Sequence, residues 1–112
     1  QALVTLNDVQ FVEASRALAE RALKEGGNTL DEQLDYAYRL ASGVRPKSFV
    51  REILKQTYHD ELKIFQADNE RATKLISAGE SPRDETLDPA VHAAMSIATS
   101  MILNLDEVLT RG

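Results

Sequence analysis

Two histidines and no cysteine bound the chemistry this chain can carry. An imidazole can serve as a general base or a metal ligand near neutral pH. His59 opens the densest polar cluster, His59-Asp60-Glu61. On a helix it neighbours Lys55 and Lys63 at i,i+4. A metal site would want a second histidine one turn away, and the sequence has none there. His59 therefore reads as part of a solvated helix face. His92 stands alone on a different segment. It reads as a half-buried histidine near a helix N-terminus, bonded to a backbone group or water. Asp31, Glu32 and Asp35 could do acid–base work as paired carboxylates. Acidic side chains in a first helical turn also complement the helix dipole, and that structural reading is the stronger one. No catalytic residue and no metal-ligand set is assigned.

Binding chemistry is better represented. Tyr36, Tyr38 and Arg39 could line a groove for a sugar or a peptide. Tyr38 falls on an apolar stripe, whereas Tyr36 falls off it and is the better candidate for exposure. The segment Ser81-Pro82-Arg83-Asp84 has no glycine-rich phosphate cradle, and no G-x-S-x-G elbow occurs. The candidate binding surface is Tyr36, Arg39, His59 and Arg83. Met95 and Met101 sit at core spacing and read as gap fillers.

The elements that must position these residues are helical throughout. Asn7 or Asp8 can cap a first helix, with Phe11, Val12, Ser15, Leu18, Ala19, Ala22 and Leu23 on one stripe. Gly26-Gly27 ends it. Thr29 with Glu32 forms a capping-box pattern. The second helix then puts Leu30, Leu34, Ala37, Tyr38 and Ala41 on one face, up to Gly43. Arg45-Pro46 keeps the chain extended.

Ser48 is expected to cap a long third helix. Its main stripe is Val50, Ile53, Leu54, Thr57, Ile64 and Phe65, with Tyr58 and Leu62 flanking. A kink or break is expected at Asp68-Asn69, because both residues are cap formers. Ala72, Leu75 and Ile76 continue an apolar face. Gly79 to Thr86 reads as a polar loop. Asp88-Pro89 starts the late helix, 89–103, which is apolar nearly all round and so belongs in the middle of a bundle. Asn104 is expected to loosen it before a short last turn. Leu105, Val108 and Leu109 are expected to join the core. No alternating β pattern competes. A helix-pair repeat of about 34 residues does not recur. The fold expected is all-α: a helical bundle or orthogonal array of about five helices.

Composition is compatible with that. The 112 residues are 43% hydrophobic and 28% charged, which suits one helical domain spanning 1–112. The net charge of −5 argues against a nucleic-acid surface. The stretch from Pro89 to Leu105 is uncharged but carries His92, Ser96, Thr99, Ser100 and Asn104, too polar for a membrane span. The chain opens without Met or a basic, apolar leader, so it carries no signal peptide as it stands and reads as a piece of a larger protein.

Several stretches, taken in order, resemble a known family. They are Gln1-Ala2-Leu3 with Leu6-Asn7; Phe11-Val12-Glu13-Ala14 through Leu18-Ala19-Glu20-Arg21; Ala37-Tyr38-Arg39-Leu40-Ala41 with Gly43 and Arg45-Pro46; Gly79-Glu80-Ser81-Pro82; and Leu103-Asn104-Leu105-Asp106-Glu107. The set is similar to the C-terminal domain of unknown function of the large planctomycete-type cytochrome c domain proteins. The resemblance covers nearly the whole chain. It implies a parent with an N-terminal cytochrome c-type domain and a middle domain, exported or periplasmic, loosely linked to breakdown of complex polysaccharides. Haem is expected only in that separate domain, and no cofactor in this chain. Family members often carry Trp near the position of Met95-Ser96, so a Trp-based contact is absent here.

The expected function is a non-catalytic helical domain that packs against other domains of the parent or recruits a protein partner. The alternatives are a carbohydrate- or peptide-binding module, or part of an enzyme site shared with a domain outside this chain. A deep pocket lined by titratable groups would favour an enzyme. A shallow groove at Tyr36 would favour ligand binding, and an apolar patch would favour docking.

Overall fold

Thr29 and Glu32 start the second helix as their spacing predicts. The Thr29 hydroxyl accepts from the Glu32 amide at 3.1 Å, and the Glu32 carboxylate accepts from the Thr29 amide at 3.1 Å. Gly43 ends the same helix at φ +83°, a left-handed conformation that costs glycine little. The computed structural model describes residues 9–79 and 82–111, the last six of these as backbone alone. Five helices follow in order: α1 (Val9–Glu25), α2 (Leu30–Ser42), α3 (Ser48–Ala67), α4 (Asn69–Ile76) and α5 (Pro89–Arg111). The expected all-α architecture with a buried late helix is what the chain adopts. The caps proposed for α1, Asn7 and Asp8, lie outside the described residues.

Helix α5 packs against all four other helices. Every residue from His92 to Ser100 is buried except Ile97, which is half-buried. An α-helix sunk this far must satisfy its polar side chains internally. Two serines do so through the helix's own backbone. Ser96 Oγ donates to the His92 carbonyl at 2.7 Å and Ser100 Oγ to the Ile97 carbonyl at 2.6 Å. Asp88 caps the helix, accepting from the Val91 amide at 3.1 Å. One part of the core gathers Ala19, Ala22, Leu34, Ala37, Leu54, Met95, Ala98 and Ile102. A second gathers Phe65, Ala72, Ile76, Ala90, Ala93 and Ala94 near the start of α5.

Helix α1 crosses α5 at close range. Thr99 Oγ1 donates to the Ser15 carbonyl at 2.6 Å, and the His92 ring bonds the Arg16 carbonyl at 3.0 Å. The small side chains Ser15, Ala19 and Ser96, all buried, allow that approach. Arg16 is itself buried, and its Nε donates to the Ala78 carbonyl at 2.8 Å. This bond holds the end of the α4 region against α1.

Four expectations are corrected. Ser48 does not cap α3: Lys47 occupies the cap position and makes no side-chain cap bond. The stripe of α3 is rotated from the one expected. Leu54 and Phe65 are buried, with Tyr58 and Leu62 packed beside them, while Ile53 and Ile64 are exposed. Positions 54, 58, 62 and 65 follow the helical repeat, and 53 and 64 lie one residue, about 100°, off that line. Asn104 does not interrupt α5, which runs on to Arg111. Leu105 is 38% exposed rather than part of the core. Val108 and Leu109 lie outside the residues whose side chains are described. The break expected at Asp68-Asn69 is present, with the Asp68 carboxylate accepting from the Arg71 amide at 3.1 Å.

Candidate functional site

Two surface depressions of different chemistry flank the α2–α3 connection. The first is polar. Helix α2 sets Tyr36 and Arg39 one turn apart, and these two residues line both a recess of about 290 Å³ and an adjoining one of about 270 Å³. The Tyr36 hydroxyl donates to Glu25 at 2.6 Å, and Arg21 donates to the same carboxylate at 3.2 Å. The hydrogen bond from Tyr36, then Arg21, holds the Glu25 carboxyl below its ordinary value. The same bond to Glu25 pushes the Tyr36 phenol up. Tyr36 is thus a protonated donor, unsuited to act as a base, and its ring is half-buried against the core rather than exposed as expected. Asp35, on the rim, is committed to Arg51 through two bonds of 2.8 and 3.0 Å. The Arg39 and Arg45 side chains make no hydrogen bond or ion pair among the described residues.

The second depression is apolar. Phe49, Val50, Ile53 and Leu54 of α3 face Met101 and Leu105 of α5 across a groove of about 410 Å³. A neighbouring recess of about 370 Å³ shares Phe49, Val50 and Leu105 and adds Tyr38, Val44, Arg45 and Lys47. The shared residues make the two one continuous groove. Its rim holds Phe49 at 64%, Val44 at 57% and Ile53 at 52% exposure. Isolated apolar residues on a surface are ordinary, but a contiguous set around a concavity marks an interaction site. The Lys47 side chain resembles those of Arg39 and Arg45 in having no charged or hydrogen-bonding partner among the described residues.

Of the four residues singled out from the sequence, the fold brings Tyr36 and Arg39 together. His59 is exposed on α3, where its ring meets Tyr58 edge-on at 5.4 Å. Arg83 is half-buried in the loop before α5, beside the Asp84 carbonyl. Neither lines the Tyr36 recess. Arg45, Lys47, Phe49 and Leu105 were not singled out. Of the exposed apolar side chains that carry the groove, Ile53 and Leu105 were expected in the core, and Phe49 and Val44 were assigned to no apolar stripe.

His92 is buried outright rather than half-buried, and its bond to a backbone group is present. A carbonyl oxygen can only accept, so Nε2 carries the proton and Nδ1 does not. Nδ1 has no hydrogen-bond partner among the described residues. Burial pushes the imidazole below its ordinary value. Among the described residues no hydrogen bond links either imidazole ring to a carboxylate or a hydroxyl. The acids of α2 serve structure: Asp31 meets Lys55 at 2.9 Å, Glu32 completes the capping box, and Asp35 holds Arg51. No three His, Asp or Glu side chains among the described residues come together as a metal site, and no helix there is long and apolar enough to cross a membrane. Neither a family model, nor a curated protein, nor a solved structure matches the chain.

Proposed function

We propose that this domain is a non-catalytic helical interaction module that docks through the groove between α3 and α5. The observation that carries the reading is the continuous apolar concavity rimmed by exposed Val44, Phe49 and Ile53. Covering a side chain of this kind is worth about 1.5–3 kcal/mol, offset by the cost of association. The partner is another domain of the same larger protein or a separate protein. The family resemblance supports placing the domain last in an exported cytochrome c domain protein, with haem held elsewhere in that protein. A role linked to polysaccharide breakdown belongs to that parent.

A second reading is favoured by one observation. The half-buried Tyr36 lines a recess with Arg39 and Arg45, whose side chains are unpaired among the described residues, a surface suited to a sugar or peptide. Hydrogen exchange separates the two. In the larger protein, slower exchange over 44–54 than in this chain alone supports docking. Unchanged exchange there, with glycan binding lost in Tyr36→Ser and Arg39→Ser, replaces docking with ligand binding.

A further inference from the structure

The apolar groove has a charged end. Arg45 and Lys47 border it beside Val44 and Phe49, and both are exposed without an acidic partner among the described residues. The two cations of α3 nearest that end are matched, Arg51 by Asp35 and Lys55 by Asp31. The chain as a whole carries −5, so two unmatched cations at one end of an apolar groove run against the general charge. Helix α3 begins at that same end. It has no side-chain cap and no acidic residue in its first turn, so its positive dipole end is uncompensated.

We infer that the occupant of this groove is an amphipathic helix of a protein partner, its apolar stripe between α3 and α5 and its carboxylates at the Arg45–Lys47 end. This rests on the docking reading given above and adds the partner's chemistry. The opposite wall explains why a helix fits. Phe49 and Ile53 are one turn apart on α3, and Met101 and Leu105 are one turn apart on α5. Ridges spaced at i,i+4 on two helices can receive the i, i+3, i+4 and i+7 side chains of a third helix. A second copy of this chain is a poorer occupant. Across a two-fold axis it would bring a second Arg45 and Lys47 into the same interface. An acidic helix supplies counter-charges that both cations and the α3 terminus lack among the described residues.

The test uses three labelled synthetic helices of about 15 residues, identical in their leucine stripe. One carries glutamates in its last turn, one glutamines and one lysines. Fluorescence anisotropy against the whole chain reads affinity at low and high salt. The glutamate peptide is expected to bind about tenfold tighter than the lysine peptide at low salt, a gap that narrows as salt rises. The double change Arg45→Ser with Lys47→Ser should remove the gap, and Phe49→Ser should weaken all three peptides. Phe49 is exposed, so circular dichroism should show that variant folded. Equal affinity for the three peptides, lost in Phe49→Ser, overturns the charge selection and leaves the docking reading standing. No binding by any peptide overturns both. A concentration-dependent dimer in sedimentation, abolished by Phe49→Ser, assigns the groove to a second copy and overturns the proposal.

Discussion

Lowering the pH from 7.5 to 5.5 should destabilise this domain through His92. The imidazole is fully buried, donates through Nε2 to the Arg16 carbonyl, and leaves Nδ1 without a partner. A proton added at Nδ1 would be a buried donor with no acceptor. It would also face the charged groups around it: Arg16 on α1 and Arg83 in the loop repel it, and Glu20 on α1 attracts it. Burial is the largest cause, and it lowers the folded value below the ordinary 6.5. The unfolded chain therefore binds the proton at a higher pH than the folded chain. The stability contributed by keeping His92 neutral is complete above about pH 7.5. It declines below 6.5 and levels off once the pH passes the lowered folded value. The slope cannot exceed about 1.4 kcal/mol per pH unit for one proton. If the folded ring stays neutral throughout, the loss at pH 5.5 reaches about 1.4 kcal/mol, a sizeable share of the 5–15 kcal/mol typical of a domain. Urea titrations at the two pH values measure it, with His92→Gln as the variant and His59→Gln as the control. The His92→Gln chain should lose that part of the pH dependence, and the His59→Gln chain should keep it. Equal pH sensitivity in wild type and His92→Gln would refute the reasoning.

Three other outcomes follow from the packing. Leu54→Ala removes a fully buried side chain and should cost about 2–5 kcal/mol, whereas Ile53→Ala, half-exposed one residue away, should stay within about 0.5 kcal/mol in the same urea assay. Gly43→Ala should cost about 1 kcal/mol, because an added Cβ meets open space and the penalty comes only from φ +83°. Lys24, 2.7 Å away, and then Thr86 hold the Asp84 carboxyl well below its ordinary 3.8. Its stabilising contribution is thus present above about pH 3.8 and lost as the pH falls through the depressed value. Asp84→Asn should melt lower than wild type at pH 7, with the difference closing in strong acid by scanning calorimetry.

Local signals were the legible part of this chain. The Thr29–Glu32 box, the Gly43 stop, the Asp68 break and the Asp88-Pro89 start act through bonds within a few residues, and all four operate in the fold. The central place of α5 was legible for a related reason. A helix without a charged residue from Pro89 to Leu105 has no face suited to water, whatever surrounds it. Of the candidate binding residues, Tyr36 and Arg39 were legible as neighbours because a helical turn separates them.

Only tertiary structure decided the rest. Ile53 and Leu54 are adjacent aliphatic residues, and periodicity along α3 does not say which one α5 covers. The answer depends on how α3 rotates to seat Tyr58, Leu62 and Phe65, which is a property of the partner helices. That rotation leaves Ile53 and Phe49 outside and opens the groove. Ser48 likewise lost its capping role to the geometry of the Gly43–Lys47 connection, which places Lys47 at the helix start. Arg16 and His92, 76 positions apart, meet because small side chains let α1 and α5 cross closely. Hydrophobicity and spacing along a chain determine which residues seek burial. They do not determine how much facing surface the other helices have to offer, and that shortage is why Phe49, Val44 and Ile53 stay in contact with water.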